Sequence, residues 1–246
     1  MKNVNVTKRR KGQKGFTLVE LAVVMIIVGL LIGGILKGQE LITNAQVAST
    51  ITQAKGIDAA VSTFRDSYRA LPGDIANPAV RLPNCNAAPC NTANAAPDGR
   101  VNQLPSAAMV AGSEGQRFFV HLNAAELISG VQNQNDVVFG SGLPASSVGG
   151  GGYGVGFFPG GGAALGNNAN ASGGHYLSLR EAAAAPSAGN GPLTAAQAAR
   201  MDIKLDDGAS DAGSVFTNDA TCEVAAGVYD EGNNPQGCYL YVRIQG

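Results

Sequence analysis

The sequence contains no tryptophan, and it has only two histidines, His121 and His175, among its 246 residues. Catalysis of the Ser/His/Asp or Cys/His type requires a histidine beside a nucleophile and an orienting acid. Neither histidine is accompanied by a GxSxG sequence or a comparable nucleophile motif, so we expect no enzymatic activity. The lack of tryptophan, together with 34 glycines, predicts a modest core and long loops.

Acidic residues are absent from the first 15 positions, which hold six basic side chains. Removing those six leaves 17 − 6 = 11 basic residues against 18 acidic residues, so residues 16–246 carry a net charge of about −7. An acidic surface disfavours nucleic acid as a partner. A basic head before an apolar run is typical of an export or membrane-insertion signal.

Residues 16–36 form an apolar run in which Glu20 is the only charged residue. As a helix, this run spans about 31 Å, close to the hydrocarbon thickness of a bilayer. Basic residues before a spanning helix stay in the cytoplasm, so we expect everything after Leu36 to lie outside it. The run is longer than the apolar core of a cleavable signal peptide, and no A-x-A-like site clearly follows it. A plain signal anchor is the simplest alternative interpretation.

The start of this run, GFTLVE at positions 15–20, closely resembles the processing motif of type IV pilins and type II secretion pseudopilins. In that family, a membrane peptidase cuts after the glycine and then methylates the new N-terminal phenylalanine. The resemblance therefore implies a leader peptide of residues 1–15, cleavage between Gly15 and Phe16, and N-methylation of Phe16.

Glu20 is an acid inside a segment otherwise suited to hydrocarbon, where an unpaired carboxylate is costly. The resemblance implies that Glu20 of one subunit meets the Phe16 amine of a neighbour during filament assembly. Glu20 then sets the register between subunits. The alternative is a glutamate that merely reaches the membrane interface.

One departure from many pilins is the lack of proline between Phe16 and Leu71. Glycines occur in the first half of this stretch instead, at positions 29, 33, 34 and 38. They favour either local melting of the helix or close packing between helices. The missing proline leaves the choice between a pilin and a pseudopilin open.

The apolar pattern continues beyond the membrane run and predicts one long helix. Apolar residues recur at steps of three or four, at positions 47, 51, 54, 57, 61, 64 and 68. Pro72 ends the pattern because it disfavours helical geometry at the preceding residue. We expect a transmembrane and assembly half over residues 16–36 and an amphipathic half over 37–70. An extracytoplasmic globular head follows over residues 71–246.

The expected fold is α+β. It resembles the pilin layout, in which a long N-terminal helix packs against a globular head with a small antiparallel sheet and long loops. Two shorter helices are predicted in the head. Residues 114–129 have helical spacing and are followed by Gly130, a typical C-terminal cap. We expect His121, in this segment, to be a satisfied surface or boundary residue. Thr194 and Gln197 fit a capping box and predict a helix to about Met201.

Strands are predicted in the second half of the head. The glycine-rich residues 149–174 match neither a GxxxxGK[ST] loop nor its context, so we expect a flexible loop or an irregular strand and no phosphate site. Residues 175–181 have strand character. Residues 222–230 and 238–245 predict an antiparallel hairpin packed on the long helix.

Four cysteines in an exported domain most simply form two disulfides. Pairing Cys85 with Cys90 closes a small loop, and pairing Cys222 with Cys238 ties the predicted terminal hairpin. The other two pairings stay open. The cysteine spacing matches no zinc ribbon, and we expect no cofactor.

Three aspartates, Asp206, Asp207 and Asp211, are a weak candidate for calcium binding. Carboxylate oxygens suit this ion, but the spacing is not that of an EF-hand. A solvated turn is the simpler interpretation.

The resemblance implies a structural subunit, a major or minor pilin, of a type IV pilus-like filament. Its expected partners are copies of itself or other pilins, the prepilin peptidase, the inner-membrane assembly machinery and, before assembly, membrane lipid. We expect the precursor in the inner membrane with its head in the periplasm, and the mature chain in a pilus on the cell surface. The alternatives are a pseudopilin of a type II secretion system and a membrane-tethered binding or adhesion protein that does not polymerise.

Overall fold

The computed structural model describes residues 15–94, 96–160, 165, 171–217 and 219–245. All of the predicted leader except Gly15 lies outside these residues. The chain divides into two units, Met1–Thr43 and Asn44–Gly246, and each is described by itself. The predicted boundaries between the leader, the two halves of the long helix and the head stay predictions.

The described residues form four α-helices, a short 3₁₀ turn and eight strands, most of them short. In chain order these are α1 (Leu18–Tyr68), α2 (Pro78–Arg81), α3 (Glu114–Ala124), β1 (Gly152–Phe158), β2 (Gly174–Arg180), β3 (Leu193–Thr194), α4 (Ala195–Leu205), β4 (Val215–Phe216), the 3₁₀ turn (Ala220–Cys222), β5 (Glu223–Ala225), β6 (Val228–Tyr229), β7 (Gln236–Cys238) and β8 (Leu240–Ile244). The fold is α+β with a pilin-like architecture, as predicted: a long N-terminal helix and a head containing small antiparallel sheets.

In the second unit, α1 buries one stripe at helical period. The buried residues of α1 are Val47, Thr50, Ile51, Ala54, Ile57, Ala60, Val61 and Phe64. The predicted stripe is confirmed, and its last member, Tyr68, is partly buried against the same core. The helix ends at Tyr68 because Arg69 takes a left-handed φ of 51°. This end lies two residues before the predicted one.

The main sheet has four antiparallel strands in the order β1-β2-β8-β4. Val155, Leu177 and Val242 lie side by side on adjacent strands. They share a hydrophobic core with the buried stripe of α1. Strand β1 is also tied to α1 by the Tyr153 hydroxyl, which donates a 2.9 Å hydrogen bond to the Thr50 carbonyl. The sheet therefore covers the apolar face of the second half of α1.

The opposite face of the sheet explains the glycine-rich sequence. Residues 152–158 form a regular strand and not the expected loop or irregular strand. A Cβ on Gly156 would lie 2.5 Å from main-chain atoms of residues 103–105, and one on Gly154 would lie 2.8 Å from the Arg180 guanidinium. Glycine at alternate positions thus lets other main chain and a buried arginine lie directly on the strand.

Arg180 is fully buried on this face without a carboxylate partner among the described residues. Its guanidinium donates hydrogen bonds to the carbonyl oxygens of Pro105, Ala107 and Ala184 and to the Ser178 hydroxyl. Main-chain oxygens therefore satisfy the cation and fix two loops to the sheet. Beside it lies a small, mainly aromatic cluster: Phe158, Leu165, Ala171, Tyr176, Phe216, Tyr239 and Tyr241.

The predicted hairpin between residues 222–230 and 238–245 is wrong. Strand β5 pairs with β6 across a tight turn, whereas β8 pairs with β2 and β4. Strand β8 buries Leu240 and Val242 on one face and Tyr241 on the other. A strand buried on both faces is stabilised inside a larger sheet and not in an isolated two-stranded ribbon.

The predicted short helices are present with shifted ends. Helix α3 starts at Glu114 but stops at Ala124, since Glu126 takes a left-handed φ of 58°. Helix α4 has the predicted capping box at Thr194 and Gln197, and it continues to Leu205.

Candidate functional site

The candidate processing site lies immediately before α1. Gly15, Phe16 and Thr17 are not helical, and the Phe16 side chain is 90% exposed. No described atom lies within 4 Å of the place where a Cβ on Gly15 would sit. The bond between Gly15 and Phe16 is therefore uncovered and open to an extended protease site. Cleavage and N-methylation at this bond stay predictions.

Thr17 and Glu20 form a capping box at the start of α1. The Glu20 N–H donates to the Thr17 hydroxyl oxygen at 3.2 Å. In return, a Glu20 carboxylate oxygen accepts from the N–H and the hydroxyl of Thr17, each at 2.9 Å. This reciprocal pair satisfies N–H groups that a helix start leaves without partners. The sequence signal for this cap is Thr-x-x-Glu at positions 17–20.

The capping box corrects the interpretation of Glu20 as an unpaired acid. Its carboxylate already has a partner three residues away in the same chain. One residue, Phe16, lies between the predicted cleavage point and Thr17. An N-terminal amine created by cleavage would therefore arise next to the capping residues.

The first unit contains no buried residue among those described. Its large apolar side chains are exposed on every side of α1; from Leu18 to Ile42 they are between 43% and 87% exposed. By length and composition, α1 contains a span apolar enough to cross a membrane. A signal sequence near an N-terminus meets the same criterion of length and composition.

His121 is buried, contrary to the predicted surface or boundary position. Its Nδ1 accepts a 2.9 Å hydrogen bond from the Gly73 N–H, so its Nε2 carries the proton and donates to the Cys90 carbonyl oxygen at 2.9 Å. Burial lowers the pKa of His121 to about 4, and the nearby Arg117 charge acts in the same direction. The ring is a neutral link between the turn after α1, α3 and a disulfide.

Both disulfides that the sequence suggested are present, Cys85–Cys90 and Cys222–Cys238. Cys85, Cys90 and His121 lie close enough to share a metal ion, but the cysteines are bonded to each other and both ring nitrogens have partners. This group therefore fits a structural role.

The carboxylates of Asp202, Asp206 and Asp207 lie within 4.8 Å of one another. Asp202 was not among the residues predicted from the sequence. Asp211, which was predicted, is not in this group, and the carboxylate of Asp211 lies beside Gly227. Burial raises the pKa of Asp202 to about 7, and the charges of Asp207 and Asp206 also raise it.

Asp202 accepts hydrogen bonds from the Tyr229 hydroxyl at 2.9 Å and the Gly208 N–H at 3.2 Å. Three carboxylates at this spacing offer oxygen ligands that suit calcium. The sequence predicted no cofactor, with a weak calcium candidate at Asp206, Asp207 and Asp211; calcium binding stays a prediction, and of those three residues only Asp206 and Asp207 belong to this group.

Comparisons with known proteins concern the N-terminal region. The family described as a prokaryotic N-terminal methylation motif matches residues 10–36. The chain is also similar to a "Fimbrial protein" of Moraxella nonliquefaciens, with 43% identity over 58 residues. That match covers 23% of this chain and 38% of the relative's length, and no solved structure matches the chain. Over its N-terminal region, therefore, the chain matches the prokaryotic N-terminal methylation motif and is similar to a fimbrial protein.

Proposed function

We propose that this protein is a non-enzymatic structural subunit of a type IV pilus-like filament. The observation that carries the proposal is the methylation motif at residues 10–36, which runs into a helix that buries nothing in the first unit. So large an apolar surface requires lipid or other protein around it. A filament in which many copies of α1 pack together supplies that cover after the chain leaves the membrane.

Glu20 has two successive partners in this proposal. Before assembly, its carboxylate holds the capping box with Thr17. After cleavage, a neighbouring subunit presents the amine of its Phe16, and methylation keeps that amine charged. An ion pair between subunits in an apolar surrounding is strong but sensitive to geometry. The exchange of partners therefore favours one register between neighbouring helices.

The proposed partners and location follow from this role. A prepilin peptidase processes the chain, and the inner-membrane assembly machinery adds it to copies of itself or to other pilins. The precursor lies in the inner membrane with its head in the periplasm, and the assembled chain lies in a pilus on the cell surface. The competing proposals are a type II secretion pseudopilin and a tethered binding protein that does not polymerise.

Processing is tested by the intact mass and N-terminal peptide of the chain from its host. We expect a mature chain of 246 − 15 = 231 residues that begins with N-methyl-Phe16. A chain that starts at Met1, or beyond residue 36, contradicts the proposal.

The role of Glu20 is tested by Glu20→Val, with Glu40→Val as the matched control in the same unit and outside the motif. We expect both variants to be inserted and cleaved, and only Glu20→Val to be lost from the sheared filament fraction. Thr17→Val separates capping from assembly, because it removes the hydroxyl and keeps the carboxylate. If Thr17→Val and Glu20→Val fail equally, Glu20 acts through the cap. If cleaved Glu20→Val assembles normally, the register role is wrong.

A further inference from the structure

A groove of about 610 Å³ lies at the C-terminal end of α1. Its lining includes Arg65 and Arg69, which are four residues apart on one helix and both exposed. Like charges at this spacing repel each other. Neither arginine has an ion-pair partner among the described residues, and Asp66 is the one acid in the lining. The groove therefore keeps a net positive charge and two guanidinium groups free to bind carboxylates.

A second feature is the β5–β6 hairpin. Four of its side chains are apolar and exposed: Val224 is 65% and Val228 is 51% exposed, and Ala225 and Ala226 between them are exposed as well. The Cys222–Cys238 disulfide holds this hairpin to β7. It is therefore a firmly attached apolar projection for which the second unit supplies no cover.

The sequence around the hairpin is strongly acidic. Between Lys204 and Arg243 there are seven acids and no lysine or arginine. Glu231 is an exposed acid two residues after the end of β6, and Glu223 is the first residue of β5. The hairpin thus combines an apolar tip with negative charge, whereas the groove combines positive charge with the apolar lining of Ala70 and Leu71.

The groove and the hairpin lie toward opposite ends of strand β8. Gln245, after β8, lines the groove, and Cys238, before β8, anchors the hairpin. Seven residues of extended chain separate the two by roughly 20 Å. The hairpin therefore does not reach the groove of its own chain, but it is placed to reach the groove of a second copy.

We infer that the groove at the end of α1 receives the β5–β6 hairpin of a second copy of this chain. Two different surfaces of identical subunits make a head-to-tail contact, and repetition of such a contact gives a ring or an open helical filament. The contact rests on the proposed function, because it adds an interface between heads to the packing of the N-terminal helices. Arg65 and Arg69 bind the acids beside the hairpin, and the valines bury their exposed surface in the groove.

Charge exchange in the full chain tests this contact. We expect Arg69→Glu alone and Glu231→Arg alone each to lower the sheared filament fraction at least about tenfold, since like charges then face each other. The double variant restores opposite charges, and we expect it to recover to within about threefold of wild type. Lys204→Glu and Glu181→Arg are the matched controls, because they change the same charges at exposed positions outside both surfaces.

Cysteine cross-linking gives the second measurement. Ala70→Cys in the groove and Ala226→Cys in the hairpin, combined in one full-length chain, are expected to give a ladder of multimers on non-reducing gels. Each single variant gives none. If the ladder is missing while filaments form, or if the groove cysteine joins a different protein, the inference is wrong. It is also wrong if the charge variants assemble like wild type or the double variant does not recover.

The two proposals fail in different ways. If the wild-type chain is cleaved but never enters filaments, the proposed function fails. If wild-type filaments form but neither the charge exchange nor the cysteine cross-linking gives the expected result, only the contact between groove and hairpin is wrong.

Discussion

Acidification is expected to destabilise the head through His121. The buried ring accepts a hydrogen bond from Gly73 and donates one to Cys90, so it holds a single proton in the folded state. A second proton on Nδ1 would face the Gly73 N–H and destroy that bond. The pKa of His121 is accordingly about 4 in the fold, against an ordinary value of 6.5.

The size and sign of the effect follow from these two values. Above pH 6.5 neither the folded nor the unfolded state binds the extra proton, so the full stability is present. As the pH falls toward 4, the unfolded state binds it first and stability is lost. The loss is about 2 kcal/mol at pH 5 and approaches about 3 kcal/mol well below pH 4.

The variant that isolates this effect is His121→Gln. It lacks the titrating ring, so its free energy of unfolding should lose the part of the pH dependence that belongs to His121. At pH 7.5 it should be less stable by about 1–3 kcal/mol, because one buried polar group then lacks a partner. His175→Gln is the matched control, since it removes the one other histidine and leaves His121 in place.

The assay is chemical unfolding of the full chain in detergent micelles between pH 7.5 and 5. Near-ultraviolet circular dichroism reports on its six tyrosines without tryptophan interference. Over this range, the free energy of unfolding should fall by about 2 kcal/mol more for wild type than for His121→Gln. The titration of all other groups is common to both proteins and cancels in this comparison. Parallel pH profiles for the two proteins would refute the reasoning.

Three further outcomes are expected. The pKa of Asp202 is raised to about 7, so the stability that its carboxyl group contributes is present at low pH and is lost as the pH rises through 7. Between pH 5 and pH 8, the free energy of unfolding of Asp202→Asn should therefore rise by about 1–2 kcal/mol relative to that of wild type, after allowance for screening by solvent. Replacing Cys222 and Cys238 by serine should cost roughly 3 kcal/mol, and peptide mapping under non-reducing conditions that joins either cysteine to another partner contradicts the pairing. Gly156→Ala places a Cβ 2.5 Å from main-chain atoms and should cost about 1–3 kcal/mol, whereas Gly232→Ala, with its nearest atom at 3.9 Å, should leave the thermal midpoint almost unchanged.

Local features of this fold were predictable from the sequence. The buried stripe of α1 appears directly as helical periodicity, and Thr194 with Gln197 marks the start of α4 because a capping box involves only neighbouring residues. The same pattern at Thr17 and Glu20 was equally visible. Glu20 also lies in an apolar run, and that position by itself predicts an unpaired acid.

Features that depend on distant contacts were not predictable. His121 is buried because Gly73 and Cys90, far away in sequence, supply its hydrogen-bond partners. The glycines of β1 predict a loop when only the sequence is considered. Their role in a strand becomes clear only from the main chain and the arginine that occupy the space where their side chains would be. The partner of β8 likewise depends on burial of both of its faces, which alternation alone does not reveal.

The position of β8 also has a consequence for the order of folding. This strand lies between β2 and β4, yet it follows both of them, and every other strand that the structure describes, along the chain. Until it arrives, the sheet is incomplete and the apolar stripe of α1 lacks part of its cover. Closing so long a loop is entropically costly and slow, and it leaves an aggregation-prone surface open in the meantime. A chaperone that shields the helix is therefore of greatest use until β8 has joined the sheet.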